Sequence, residues 1–253
     1  MAATTFPRNR SKSNVPLLYP GDRLSQPEFH RRYEAYPDPK VHFELIGGIV
    51  YMNVPAGFEH SSEGFRLIGV LNVYQAHTPG VRGAIGPTVV LGPESEPEPD
   101  AVLLIAPDYD GQTTLKRIMN KLYIHGPPEL VLEVAHSSVA IDLHGKLEVY
   151  RQAGVREYIV ICLDERDVFW SALAGKGELA IDSDGVLRSR AFPGLWIDAE
   201  AIWSNDDLRL LETGNKGIGT KEHQAFVASL EKRRKRHTKP SSPKKNGKPR
   251  RRD

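Results

Sequence analysis

Pro99-Asp100-Ala101-Val102-Leu103-Leu104-Ile105 and Glu129-Leu130-Val131-Leu132-Glu133-Val134-Ala135 are the two runs whose reading decides the fold. Each is short, apolar and rich in strand formers, and each carries an acid that does not suit a plain core. Side chains alternate along a strand, so Asp100 shares a face with Val102 and Leu104, and Glu133 with Val131 and Ala135. A buried carboxylate is costly unless it is paired or bound to a metal. Two such acids on adjacent strands would make a hard-oxygen site for a divalent cation.

Outward from these runs, the chain alternates helix and strand signals. Ser25-Gln26-Pro27-Glu28 opens a helix that Pro37 and Pro39 end. Val41–Ile46, Gly47-Gly48 and Ile49–Met52 read as a β-hairpin, since both turn glycines tolerate positive φ. Glu44 lies inside its first strand. His60 stands just before a helix predicted to run to about Ala76, with Phe65, Ile68 and Leu71 as its core stripe. Residues 108–126 read as an irregular connection with a basic middle (Lys116, Arg117, Lys121). A helix from about Asp142 to Ala153 follows the second central strand, capped by Gly154. Its inward stripe is Leu143, Leu147 and Tyr150, and Lys146 flanks that stripe, where a lysine is out of place unless it snorkels or is paired. Strands then follow over Val155–Leu163 and Val168–Trp170, and shorter ones to Asp198.

Composition sets the bounds. The chain has 253 residues, with 40% hydrophobic content and a net charge of +2. That sum hides an asymmetry: residues 231–253 hold 12 Lys/Arg against 2 acids, leaving 22 Lys/Arg against 30 acids in the rest. The expected organisation is a disordered N-terminal arm (1–21), one domain (22–205) and a polar, basic, mostly disordered tail (206–253) with a short helix over Lys221–Lys235 on Ala225, Phe226 and Leu230. Within that tail, Arg233, Arg234, Lys235 and Arg236 are candidates for salt-dependent phosphate contacts. The single cysteine, Cys162, excludes an internal disulfide and a cysteine-cluster zinc site. No run approaches a membrane span of roughly 20 apolar residues, and the N-terminus lacks a signal-peptide pattern. A cytoplasmic protein without membrane partners is expected. There is no Gly-x-Ser-x-Gly elbow, phosphate-binding glycine loop or His-Glu-x-x-His motif.

Glu44, Asp100, Glu133 and Lys146 together are the chemistry of metal-assisted phosphodiester hydrolysis. Carboxylates fix Mg²⁺ or Mn²⁺, and the lysine positions water or balances the scissile phosphate. His60 and Asp142 are possible supporting residues.

At these positions the chain resembles the Uma2-type restriction endonucleases of the PD-(D/E)XK nuclease superfamily. The resemblance rests on Phe43-Glu44-Leu45-Ile46 with Gly48, Glu59-His60, Pro99-Asp100, Leu132-Glu133-Val134, Asp142 with Lys146–Tyr150, and Ala153–Tyr158, and it covers roughly Arg23 to Trp203. It implies that Asp100 and Glu133 are metal ligands, that Glu44 is a further acid, and that DNA is the substrate. It also carries a family-level expectation of a homodimer. The superfamily lysine two residues after the second acid is absent, since Ala135 stands there. The matching lysine is Lys146, displaced onto the next helix. The family's Ser-Pro-Ser is replaced by His136-Ser137-Ser138. The fold expected is a mixed central β-sheet flanked by helices, a restriction-endonuclease-like α/β core. The alternative function is an inactive nuclease-fold module that binds DNA through its basic tail.

Overall fold

The computed structural model describes residues 15–238 except 54, 56, 119, 137, 138 and 174–181. Of the N-terminal arm, residues 1–14 lie outside the described residues. Residues 15–21 are an ordered strap rather than a disordered one. Leu18 is buried with Phe29, Phe43, Leu45 and Val50, and the Gly21 N–H donates to the Val50 carbonyl at 2.8 Å. A leucine inside a proline-rich segment was enough to tie it down.

Helix α1 (Gln26–Glu34) precedes the hairpin β1 (Phe43–Ile46) and β2 (Ile49–Met52), with Glu44 opposite Tyr51. Gly47 and Gly48 take φ of 57° and 79°, the left-handed pair that a two-residue hairpin turn requires. Then come α2 (Phe58–His77), β3 (Val81–Ile85), β4 (Val89–Val90), β5 (Ala101–Ile105) and a 3₁₀ turn (Pro107–Tyr109). Next are β6 (Thr114–Ile118), β7 (Lys121–His125), β8 (Leu130–Ala135), a π-helical turn (Ile141–Lys146) and α3 (Leu147–Ala153). The chain continues through β9 (Glu157–Cys162), β10 (Asp167–Ala172), β11 (Val186–Arg188) and β12 (Trp196–Asp198). It ends in α4 (Ala199–Trp203), α5 (Asp207–Ile218) and α6 (Lys221–Thr238).

The central sheet has the order β10-β9-β8-β5-β3, with β8 and β9 parallel and the other neighbours antiparallel. One face (Leu103, Ile105, Leu132, Ile159) packs on α2, α5 and α6. The other (Val102, Leu104, Val131, Val160) packs on α3, β4 and β7. Burial on both faces explains why β5, β8 and β9 read as continuous apolar runs rather than alternating ones.

Three expectations are corrected. The stretch read as an irregular connection holds the β6–β7 hairpin, joined to β4 in a separate three-stranded sheet. Most of its side chains face solvent, so no apolar alternation marks it. In α2 the stripe on the sheet is Leu67, Val70, Leu71 and Tyr74, while Phe65 is 79% exposed. Two residues are about 200° of helix, so Phe65 points away from the face that Leu67 buries.

The third correction concerns the tail: residues 207–238 are helical apart from a short turn between α5 and α6. Asp206 caps α5 by accepting the Arg209 N–H at 3.0 Å. Gly217 lets that helix close on the loop before β12, since a Cβ there would clash with the Gly194 carbonyl oxygen. In α6, Leu230 is fully buried, and His223 bonds Thr78 at 2.9 Å. A few apolar anchors outweigh the basic composition. Residues 239–253 of the expected tail lie outside the described residues. Because Leu230 belongs to the main core, Leu230→Ala should cost about 2–5 kcal/mol in denaturant unfolding; a loosely attached tail would give no measurable change.

Candidate active site

Antiparallel pairing of β5 and β8 sets Ala101 opposite Leu132, so Asp100, one residue before β5, falls beside Glu133. Backbone groups fix both acids. The Asp100 N–H donates to Glu133 Oε2 at 3.3 Å, and the Val134 N–H donates to Asp100 Oδ2 at 2.7 Å. The start of β5 therefore lies at the carboxyl end of β8, which brings a Pro-Asp at a strand start to the sheet end where ligands gather.

Above this edge is a cavity of about 440 Å³, and Glu44, His60, Asp100, Glu133, Asp142 and Lys146 are among its lining residues. Its floor is an ion cluster. Lys146 Nζ lies 3.0 Å from Glu133 Oε1, 3.1 Å from Glu44 Oε2 and 3.4 Å from Asp142 Oδ1. The π-helical turn carries Asp142 and Lys146 inward together, and such turns recur at functional sites. Glu44 is held by the Glu98 N–H at 2.7 Å, and Glu133 by the Tyr150 hydroxyl at 3.1 Å. The Tyr158 hydroxyl donates to the Asp142 carbonyl at 3.1 Å, tying β9 to the turn. At the mouth, His60 Nε2 is 3.2 Å from Asp100 Oδ1. His60 is in the first turn of α2 rather than before it.

The electrostatics follow from burial. Desolvation raises the pKa of Glu133 well above the usual carboxylate value and raises that of Glu44, with the Lys146 charge opposing both shifts. For Lys146, burial pulls downward, but the charges of Glu133, Glu44 and Asp142 outweigh it and hold the pKa well above that of an ordinary lysine. The hydrogen bond to Asp100 raises the pKa of His60 against its partial burial.

Four carboxylates face one lysine, so the ionised cluster carries an excess of negative charge even with His60 protonated. That excess suits a divalent cation. Among the described residues, no three or more His, Cys, Asp and Glu side chains form a ready-made metal cage. Mg²⁺ does not need one, because it keeps several waters and binds through one or two carboxylates. Asp100 and Glu133 match that requirement in number and type.

The structure thus brings Glu44, Asp100, Glu133, Lys146, His60 and Asp142 to one cavity. It does not bring the tail cations there. Arg236 pairs with Asp110 at 2.8 Å, and Arg234 lies 3.9 Å from Asp108, in the segment that follows β5 rather than the one that precedes it. Arg233 and Lys235 share those last turns of α6. Sequence reading missed Tyr150 as a site residue, since its place in an apolar stripe marked it as core. It also missed Tyr51, whose pairing with Glu44 is legible once the hairpin register is written out. His136 lines the cavity and reaches Asp164 at 3.1 Å.

Comparison with known proteins agrees with this architecture. A crystal structure described as "a putative nuclease belonging to DUF820 from Anabaena variabilis ATCC 29413" superposes with a TM-score of 0.55 at 16% identity, covering 72% of this chain and 98% of that one. At that identity the likeness establishes the fold, a restriction-endonuclease-like α/β core. No curated protein matches the chain. The model of the Uma2 family, described as "Putative restriction endonuclease", matches residues 27–200, which span β1 to β12 and every cavity residue named above. The chain belongs to the Uma2 family.

Proposed function

We propose that this chain is a Mg²⁺-dependent, or Mn²⁺-dependent, DNA endonuclease that hydrolyses phosphodiester bonds at the cavity. The observation that carries this reading is a lysine ammonium held by Glu133, Glu44 and Asp142 directly beside the Asp100–Glu133 pair. Asp100 and Glu133 would hold the ion, which when bound lowers the pKa of water and offsets charge on the phosphoryl oxygens. Lys146 would turn one of its three N–H groups from a carboxylate partner to a phosphate oxygen or the attacking water. Glu44 and Asp142 keep that ammonium charged and in place, and Tyr150 fixes the rotamer of Glu133. His60 orients Asp100 at the mouth. In the net reaction the water oxygen bonds to phosphorus, one P–O ester bond breaks, and the leaving oxygen takes up a proton.

Among the described residues, no helix is long and apolar enough to cross a membrane. The buried, unpaired-by-disulfide Cys162 fits our assignment to the cytoplasm. A second reading, an inactive module binding DNA through its tail, has the exposed basic end of α6 in its favour.

Plasmid cleavage with Mg²⁺ or Mn²⁺ tests the proposal. Asp100→Asn and Glu133→Gln should each lose at least about a hundredfold in rate. Mn²⁺ should raise the wild-type Tm by mass action and leave the double variant unmoved. A wild type that cuts no DNA, yet binds it in low salt only while residues 232–253 are present, would favour the second reading.

The lysine has a structural consequence as well. Lys146→Met leaves buried carboxylates without their cation and should cost about 3–5 kcal/mol near neutral pH. Glu44 and Glu133 have folded pKa values above the ordinary 4.5, so the folded state holds more protons than the unfolded state in the window above that value. Stability therefore falls as pH rises through the window. In Lys146→Met the fall should be steeper, and acidification toward pH ~5 should recover much of the loss in thermal melts. An unchanged pH profile would mean that the ammonium does not govern these acids.

A further inference from the structure

We infer that the cavity admits one nucleotide of single-stranded DNA at a time, with Tyr51 as the wall for its base and Phe58 as the platform for a neighbouring base; this rests on the nuclease reading and deepens it to a substrate class.

Depth is the first observation. Lys146 and Glu133 are 6% and 3% exposed, whereas Asp100 and His60 are partly open at the mouth. A reacting phosphate must therefore enter the cavity to meet the lysine. The cavity, about 440 Å³, has the dimensions of a small-molecule pocket, typically about 300–1,000 Å³. A duplex is a rod with its phosphates on the outside, and its major groove alone is about 12 Å wide. Such a rod meets the rim of a pocket this size and not its floor. A nucleotide out of the stack can enter, which is how enzymes that act inside narrow pockets reach their target atoms.

The wall chemistry is the second observation. The register of β1 and β2 sets Tyr51 opposite Glu44, so both side chains stand on one face of the hairpin and both line the cavity. Asn53, two residues further along, also lines it and offers an amide that donates and accepts hydrogen bonds. Met52 lines it as well and is exposed. Phe58 begins α2 between the lining residues Gly57 and Glu59, and it is 82% exposed. A single exposed phenylalanine needs no explanation. Here a tyrosine and a methionine line one cavity whose floor carries the ion cluster, and the exposed phenylalanine is the chain neighbour of two further lining residues. Every base has a π-face, so aromatic platforms bind single strands with little sequence preference.

Electrostatics favours the same substrate. Until an ion is bound, an acidic cavity in an acidic body repels phosphate, so contacts that do not depend on charge add affinity at this mouth. Stacking supplies them for unpaired bases, and the bases of an intact duplex are already stacked on each other.

The test is oligonucleotide binding to full-length protein in a Glu133→Gln background, so that the DNA stays intact, with Phe58→Trp as the reporter. A labelled dT15 should bind at least about tenfold tighter than a duplex of equal length and quench the indole emission. Phe58→Ala should weaken dT15 binding about tenfold, with an unchanged thermal melt because the side chain is exposed, while Phe58→Trp retains it. Equal binding of duplex and single strand, or undiminished binding by Phe58→Ala, would overturn the inference. Failure of this inference and failure of the nuclease reading give different results. A wild type that cuts duplex and single strand alike keeps the nuclease reading and removes this one. A wild type that cuts neither, with the introduced indole of the Phe58→Trp variant still quenched by dT15, does the reverse.

Discussion

The site depends on one ammonium among three carboxylates. At 3.0 Å and an effective dielectric of about 20, each contact of Lys146 is worth about 5 kcal/mol, against a desolvation penalty of several kcal/mol for each buried ion. One lysine can balance about one acid on these terms, and here it serves Glu133, Glu44 and Asp142. The remaining imbalance has two outlets. Burial raises the pKa of Glu44 and Glu133, so the cluster is inclined to take up protons. Under the proposed function a divalent cation is the other outlet, and it would remove the same imbalance without protonating the acids proposed to hold it. On that reading, the imbalance that makes the cluster costly in isolation is what would draw a metal to it.

Strand direction converts this local electrostatics into a site. Because β5 runs antiparallel to β8, the residue entering β5 and a residue near the end of β8 share one sheet edge. Because β8 and β9 run parallel, the connection between them must cross over the sheet, and its helix carries Asp142 and Lys146 back above the same edge. The β1–β2 hairpin closes the remaining side with Glu44. Its position is fixed by the bridge between Leu45 and Glu96, whose backbone groups bond in both directions at 2.8 and 3.2 Å. Four separate segments converge: β5, β8 and the hairpin arrive by backbone hydrogen bonding, and the turn carrying Asp142 and Lys146 is tied to β9 by the Tyr158 hydroxyl.

Period-2 alternation made Asp100 and Glu133 legible as acids on a common face, and the Gly47-Gly48 pair made the hairpin legible. The position of Lys146 beside an apolar stripe marked it as a lysine needing partners, and the structure supplies three. Strand direction was not legible, so only the pairing shows that the start of β5 meets the carboxyl end of β8. The β6–β7 hairpin escaped because solvent-facing strands lack an apolar rhythm. The spacing of Ala225, Phe226 and Leu230 made α6 legible, whereas α5 escaped because composition averaged over residues 206–253 masks a single anchor such as Leu210. Tyr150 was read for its ring, while it is its hydroxyl that holds Glu133.

Burial of an acid does not by itself mark chemistry in this fold. Glu157 is as buried as Glu133, but it receives the Trp170 indole N–H, the Ser189 hydroxyl and the N–H groups of Arg190 and Ala191. Glu129 receives the N–H groups of Ile105 and Gln112. Each of these acids has its own set of fixed neutral donors, which stabilise the carboxylate and leave nothing for a ligand to supply. Glu133 and Glu44 have neutral donors of their own as well, but with Asp142 they also share a single cation, and they do so beside an open cavity. The distinction between an anchoring carboxylate and one proposed for chemistry therefore lies in whether it shares a cation at an open cavity. By that criterion the floor of the 440 Å³ cavity, and not the equally buried acids beneath the rest of the sheet, is where an incoming charged group gains most.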